Sequence, residues 1–239
     1  MKKSFFLCFA LTACSSAPDG VSIHDPYETR NRNVHEFNKN LSGAFSGDDE
    51  NSGPRISPDA AVHVINFADH VALPGAVLNN LLQGDIGGAG TNTMRFVINT
   101  LVGVVGVFDP ADTIGLEEVE TDFGQTLTVW GAPEGAYLEL PFIGPSTERD
   151  FGGDIVDALI DPLGLFLNEE QLLAASVGSI AGRITKIDQV GDTIGDVLNE
   201  SADSYAQARL IYLQNRRFEL GLDAAEVADP YADLYGEIE

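Results

Sequence analysis

A short apolar run, Phe5 to Leu11, sits behind Lys2 and Lys3 and ahead of small residues that end at Ala13. A basic start, an apolar centre of about 7–15 residues and small residues at the cut make a secretory signal peptide, residues 1–13. The run falls far short of the ~20 residues that a bilayer-spanning helix needs. The leader is thus expected to export the chain without threading it. Cys8 leaves with the leader, and Cys14 is the one cysteine that stays. No disulfide can then form within one mature chain, although an exported compartment permits them. Stability has to come from packing or from burial in a membrane.

Leu11-Thr12-Ala13-Cys14 resembles the bacterial lipoprotein box. That resemblance implies cleavage before Cys14 and acylation of its thiol and new amino group. Cys14 is therefore the expected lipid-attachment residue, and residues 14–24, small and polar, read as the tether to a folded domain over 25–221. Loss of Lys2 and Lys3 leaves 11 of the 13 basic residues against 37 acidic ones. Such a balance excludes nucleic-acid binding, which depends on basic groups neutralising phosphates. It also excludes electrostatic attraction to anionic head groups, worth about 1 kcal/mol per Lys or Arg near the surface. Membrane residence must be hydrophobic. The excess acid also fits a salty habitat, where repulsion is screened.

Along the chain, Asp25, Pro26 and Glu28 read as the cap, first position and capping-box residue of a helix running to Leu41. Residues 42–58 carry Asp48-Asp49-Glu50 with nearby Gly and Pro, the composition of a solvated loop. Ala60–Gln83 is helix-like, with Pro74 and Gly75 expected to break it in two, and Gly84–Gly90 is not expected to be helical throughout. Thr91–Phe108 is strongly apolar and suited to lying in a membrane or a core. Asp122–Pro141 suggests a β-hairpin or paired extended segments. Asp154–Leu173 reads as a helix cut at Asp161-Pro162, and Ser176–Leu198 as another with Asp188, Asp192 and Asp196 on one side. Ser204–Leu220 carries an apolar stripe of Ala206, Leu210, Leu213 and Leu220. Residues 222–239 read as an acidic tail.

Chemical motifs are missing where an enzyme would need them. There is no Gly-x-Ser-x-Gly elbow, and Ser146 has no recognisable partners. His63 and His70, seven apart, lack the spacing with glutamate that zinc hydrolases use. Gly84–Gly90 is not followed by Lys-Ser or Lys-Thr, so it is no P-loop. The aspartates at 188, 192 and 196 do not match the alternate ligands of an EF-hand. The expectation is a protein that is not an enzyme, with no catalytic residue, no metal and no cofactor.

Several islands resemble the MlaA/VacJ lipoprotein family of Gram-negative outer membranes. Asp25, Pro26, Glu28, Asn31, Arg32, Phe37 and Asn38 match its opening signature. Asn66-Phe67, Pro74, Asn79 and Leu82-Gln83-Gly84 follow in order, then Arg95-Phe96, Asn99-Thr100, Gly103, Gly106 and Phe108-Asp109-Pro110. The most specific island is Asp122-Phe123-Gly124-Gln125-Thr126-Leu127, continued by Trp130-Gly131, Gly135, Tyr137, Leu140-Pro141, Gly144-Pro145-Ser146 and Arg149-Asp150. Asp203, Tyr205, Arg209, Tyr212 and Arg216 fit the closing helix. Arg30 departs from the family's usual aromatic, and the segment after Asn40 is short and acidic.

The resemblance implies a mainly α fold, a ring of amphipathic helices lying in the membrane plane around a central channel, with a β-hairpin-like loop. It implies an outer-membrane lipoprotein, anchored on the periplasmic side and embedded toward the inner leaflet, that associates with a trimeric porin. Such a protein takes misplaced phospholipid from the outer leaflet and passes it to a soluble periplasmic carrier. The alternative is a structural lipoprotein that organises porins without moving lipid. On this reading Asn99, Gly103, Gly106, Gly124, Thr126, Leu127, Trp130, Gly131 and Tyr137 are candidates for the channel or its loop. Phe96–Phe108 is a ring helix, a channel wall or an ordinary core helix, and Gly103 and Gly106 on one face would let helices approach closely. Arg95, Arg149 and Arg209, scarce bases in an acidic chain, either meet lipid phosphates or pair internally with aspartates.

Overall fold

Helix starts in this chain are written largely in aspartate. The side chains of Asp85, Asp109, Asp122 and Asp203 accept from the amides of Gly88, Asp112, Gln125 and Ala206, and Ser57 accepts from Ala60. Each satisfies one orphan N–H of a first turn, and each carboxylate also meets the positive end of the helix. Part of the chain's acidity is thereby structural. The computed structural model describes residues 23–45, 57–160, 167, 168, 170, 171, 173, 175, 176, 201 and 203–222. Cys14 and the signal, most of the tether, all but the first residue of the helix expected at 176–198 and nearly all of the acidic tail lie outside the described residues.

The protein is mainly helical and divides into two compact units. The first holds α1 (Glu28–Phe45), strands β1 (Tyr137–Leu140) and β2 (Gly144–Thr147), and the last described helix, Ser204–Glu219. β1 and β2 pair antiparallel, Tyr137 opposite Thr147 and Leu140 opposite Gly144. Phe142, in the three-residue connection, has φ +67°, a conformation that side chains with a Cβ seldom adopt. The core is aromatic: Tyr137, Tyr205 and Leu213 are buried, with Ile23 and Tyr212 packed against them. α1 opens at Glu28, not at Pro26. Asp25 commits its carboxylate to the side chains of Asn31, Tyr205 and Arg209.

The second unit is built on α2 (Pro58–Gln83) and α3 (Ile86–Leu101), joined by Gly84 in the left-handed region at φ 79°. Asn80 meets Asn92, His70 meets Phe96 and Thr100, and His63 meets Phe108. Partners that recede evenly from a turn mark antiparallel helices. One expectation is corrected here. Pro74 does not break α2, which is 26 residues of continuous helix. An internal proline costs about 3 kcal/mol, and the burial of Leu73 and Ala76 beside it offsets that. As expected, Gly84–Gly90 is not helical throughout: Gly84 and Asp85 stand between the two helices, while the glycines at 87, 88 and 90 lie within α3, which Asp85 caps.

Beyond α3 come α4 (Pro110–Thr113) and α5 (Phe123–Val129). The expected pairing of extended segments over 122–141 is half wrong. Phe123–Val129 is helical because Asp122 caps it, and Tyr137–Leu140 pairs with Gly144–Thr147 instead. α6 (Glu148–Ile160) carries the chain from the first unit to the second, and α7 is Ser204–Glu219. α2 is long and apolar enough, by length and composition, to cross a membrane.

Candidate functional site

α3 is amphipathic in the wrong sense for a helix in water. Ile86 and Leu101, on its outward stripe with Met94 and Val97, are 70% and 78% exposed, while Asn92 and Asn99, on its inward stripe with Arg95, are 0% and 3% exposed. The spacing of both stripes is helical, so the inversion belongs to the sequence. The inward side chains all make hydrogen bonds, with the buried Arg95 Nε left without a partner among the described residues. Asn92 bonds Asn80 at 2.9 Å and, through both ends of its amide, Val119 at 2.9 and 3.1 Å. Arg95 holds Asp109 at 2.6 Å, with Glu118 at 3.8 Å, and also donates to the Leu116 carbonyl. Asn99 donates to Asp109 at 2.9 Å and accepts from the Ala111 amide at 3.1 Å. Burial works against ionised Asp109, but the Asp112 amide, Asn99 and Arg95 outweigh it and hold the carboxyl below its ordinary range.

Where helix was expected to continue to Phe108, α3 stops at Leu101 and a tight turn follows. Gly103 and Gly106 therefore do not share a helix face. Gly106 (φ +83°) lies against α2: a Cβ there would come within 2.3 Å of the His70 Cβ. A Cβ at Gly103 would come within 2.3 Å of the Phe108 carbonyl oxygen. Close approach is real, but it is turn against helix. His70, buried, stacks flat on Phe96 at 4.9 Å, and burial pushes its imidazole below its usual pKa. His63 and Asn66 meet the Val107 carbonyl at 3.1 and 3.4 Å. The turn so pinned exposes Val102, Val104, Val105 and Phe108. Val104 and Val105 sit at φ 54° and 57°, strained for β-branched residues.

A second polar ladder ties α5 to the end of α2. Thr126, buried, donates to Asn79 at 3.0 Å and accepts from Gln83 at 2.9 Å, and Asn79 donates to Asp157 at 2.8 Å. Asp157 also accepts from the Phe123 amide at 2.8 Å. Gly124 is buried against Gly153, where a Cβ would meet the Gly124 nitrogen at 2.4 Å. Leu127 is half-buried, and Trp130 donates to the Leu82 carbonyl at 3.2 Å. Gly131, assigned to the first unit, has φ +85° and open space around it.

In the first unit the opening signature gathers on β1. Asn31 donates to the Tyr137 carbonyl at 3.1 Å and accepts from the Glu139 amide at 3.1 Å; Asn38 donates to the Leu140 carbonyl at 3.0 Å and accepts from Phe142 at 2.9 Å. Arg32 places its fork on Asp203 at 2.8 and 2.9 Å and its Nε on Glu28 at 2.7 Å. Phe37 meets Phe142 edge to face at 5.3 Å. Tyr137 is buried and donates to Glu139, and burial first, then the Glu139 charge, raises its phenol pKa. Arg209 pairs with Asp25. Arg149 and Arg216 flank Asp150 at 3.3 and 3.1 Å. Burial opposes ionised Asp150, yet Arg216 and Arg149 hold its carboxyl low. Arg95, Arg149 and Arg209 thus all face carboxylates of their own unit, the geometry of a framework.

The expected set therefore divides. Asn99, Gly103 and Gly106 meet at one turn, Gly124, Thr126, Leu127 and Trp130 share α5 and its end, and Tyr137 stands among the opening signature. Sequence reasoning missed one row of side chains: Glu139 Oε1 lies 3.4 Å from His35 Nδ1, whose Nε2 lies 3.2 Å from Ser204 Oγ. Glu139 and Ser204 stand 104 and 169 positions from His35, so no local signal announces them.

The family model for the MlaA lipoprotein matches residues 23–219. The chain is 30% identical over 214 residues to the intermembrane phospholipid transport system lipoprotein MlaA of Shigella flexneri, covering 87% of this chain and 83% of that one. Its identity to the protein so named from Haemophilus influenzae is 25% over 220 residues, 88% and 86% of the two chains. A solved structure, described as the structural basis for maintenance of bacterial outer membrane lipid asymmetry, is similar at a TM-score of 0.65 and 29% identity. It covers 82% of this chain, which in turn covers 98% of it.

Proposed function

We propose, from the premise that this chain belongs to the MlaA lipoprotein family, that it removes mislocalised phospholipid from the outer leaflet of the outer membrane and passes it to a periplasmic lipid carrier. The inverted helix α3 carries this reading. Apolar side chains turned outward are costly in water, at about 25 cal/mol per Å², and are at rest in hydrocarbon. Carboxamides and charges turned inward are what a protein surrounded by lipid has to satisfy within itself. Helices of this kind lie about 5–10 Å deep in an interface with one face in oil.

The transported molecule sets the same demand. A two-chain phospholipid exposes roughly 30 methylenes to water at ~0.8 kcal/mol each, above 20 kcal/mol. A ring of interfacial helices around an amphipathic channel keeps the tails in hydrocarbon while the head group follows a polar track. Acylation at Cys14 moors the ring, a trimeric porin holds it in place, and no bond is made or broken. With no nucleotide-binding motif in the sequence, direction comes from the affinity of the carrier downstream.

Deletion of the gene tests the reading: phospholipid should accumulate in the outer leaflet and cells should become detergent-sensitive, whereas a normal outer leaflet would overturn it. A porin-organising role without lipid movement is separated by Gly131→Leu, at a position with open surroundings. Loss of lipid clearance with porin capture intact excludes a mere tether. Ester hydrolysis is a second reading, favoured only by the row Ser204, His35 and Glu139, which has the order of nucleophile, base and orienting carboxylate. Purified protein that frees no fatty acid from labelled phospholipid disposes of it.

A further inference from the structure

Arg32, His35 and Lys39 stand three and four residues apart on α1 and so share one side of the helix. In a chain with 13 basic residues against 37 acidic ones, three cationic or protonatable side chains on two turns are a concentration. With Glu36, Asp203 and Ser204 they line an open, mainly polar cavity of ≈540 Å³, all within the first unit.

The charges of this cavity fall into two classes. Arg32 and Asp203 are already spoken for, fork on carboxylate at 2.8 and 2.9 Å, and they cancel. The Arg32 bond draws the Asp203 carboxyl down to about 2, so that partner stays ionised. Arg32 has used three of its five N–H groups on Glu28 and Asp203, which leaves two to offer. Lys39 and Glu36, by contrast, have no ion-pair partner among the described residues. They are opposite in sign and three positions apart, a spacing of about 5–6 Å between Cβ atoms. His35 is held between Glu139 at 3.4 Å and Ser204 at 3.2 Å, with the Glu139 side chain almost wholly buried.

A simple anion entering this cavity gains Lys39 but faces Glu36, and a simple cation meets the reverse. A ligand carrying both charges a few ångströms apart satisfies both. We infer that the cavity binds the zwitterionic phosphoethanolamine group, its phosphate on Lys39, the Ser204 hydroxyl and the spare Arg32 N–H groups, its ammonium on Glu36. This rests on the lipid-transfer reading and adds a head-group preference to it: zwitterionic over purely anionic phosphoglycerol lipid.

The test uses the full-length chain, purified in detergent and placed in nanodiscs of phosphatidylethanolamine or of phosphatidylglycerol. Wild type should retain the ethanolamine lipid over the glycerol lipid, and Lys39→Glu should lower that retention by about tenfold, the scale of one hydrogen bond to a charged group. The exchange Glu36→Lys with Lys39→Glu keeps both charges and should restore much of the preference. Both positions are exposed, so neither variant threatens folding. Soluble O-phosphoethanolamine that competes with the lipid shows that the head group suffices wherever it is carried; binding only from the bilayer assigns the site to lipid-borne head groups. Equal retention of the two lipids by wild type, or a Lys39→Glu protein with unchanged preference, overturns the proposal. If wild type retains both lipids equally, only the head-group assignment fails. If it retains neither, the transfer reading fails with it.

Discussion

Replacing Val97 and Leu101 together by aspartate asks which solvent meets the outward stripe of α3. The two side chains are 44% and 78% exposed and one helical turn apart. In water such exchanges on an exposed helix face change stability by no more than about 0.5 kcal/mol each. In hydrocarbon the sign is firm: Leu or Val favours the centre of a membrane helix by about 0.3–0.6 kcal/mol and Asp disfavours it by about 2.5–3.5 kcal/mol. A helix only 5–10 Å deep feels part of that difference, so about half, roughly 1.5–2 kcal/mol per position, is a fair expectation. The pair then costs about 3–4 kcal/mol of membrane affinity, a partition coefficient lower by more than about 100-fold. Flotation with phospholipid vesicles of a Cys14→Ala chain, which removes the expected acyl anchor, reads this directly. Gln214→Asp, at an exposed polar position of α7, should leave flotation unchanged. A double variant that folds by circular dichroism and floats like its parent would refute the inverted-helix argument.

Gly106→Ala should lose about 2–5 kcal/mol of stability, combining left-handed backbone strain with a Cβ 2.3 Å from His70, whereas Gly131→Ala, with open space around it, should lose only about 1–2 kcal/mol; denaturant midpoints in detergent compare them. Thr126→Val removes a buried hydroxyl that serves both Asn79 and Gln83 and should cost about 1–3 kcal/mol by the same measurement. Arg32 depresses the Asp203 carboxyl to about 2 from an ordinary 3.8, so its contribution is present above about pH 4 and fades as pH falls toward 2. With Arg32 40% and Asp203 44% exposed, the pair is screened and the effect small; Asp203→Asn should flatten the acid limb of midpoint against pH over that window, and an unchanged limb would deny the pairing.

Legibility in the sequence followed how local each signal was. The closing helix is readable because its cap and stripe lie within a few residues of what they govern, whereas the expected Asp25 cap of α1 is not found because that carboxylate is taken by Asn31 and by Tyr205 and Arg209 of the distant closing helix. Pro74 misled because a proline's penalty is local while the burial of Leu73 and Ala76 that offsets it is tertiary. Phe123–Val129 looked extended because Thr and Val favour strands, but the Asp122 cap and the Asn79–Thr126 bond decided for helix. The inverted face of α3 went unread for another reason. Asn92, Arg95 and Asn99 at helical spacing resemble a water-facing stripe, and only knowledge of the surrounding medium says which stripe turns inward. Of the candidate site, Arg95, Asn99 and Thr126 stand out in the sequence, and the structure gives each of them hydrogen bonds within its own unit.

Asn31 and Asn38 show what the opening signature is for. An edge strand leaves alternate N–H and C=O groups unpaired. On β1 and the turn that follows it these are the Tyr137 and Leu140 carbonyls and the Glu139 and Phe142 amides, and each asparagine takes one carbonyl and one amide, as a peptide group of a neighbouring strand would. Seven residues, two turns of α1, set the two carboxamides on one face at the right distance along the strand. Asn31→Leu therefore strands two buried backbone groups at about 1–3 kcal/mol each. Asn31→Asp keeps the acceptor for Glu139 but loses the donor to Tyr137 and faces Asp25, whose carboxylate Asn31 now bonds at 2.9 Å. Protonation of the introduced acid restores an O–H donor and removes the repulsion. Its destabilisation relative to the parent should thus shrink as pH falls from 7 toward about 4, while that of Asn31→Leu stays constant, both read from denaturant midpoints. A penalty for Asn31→Asp that grows on acidification would mean that the carboxamide is not standing in for a strand.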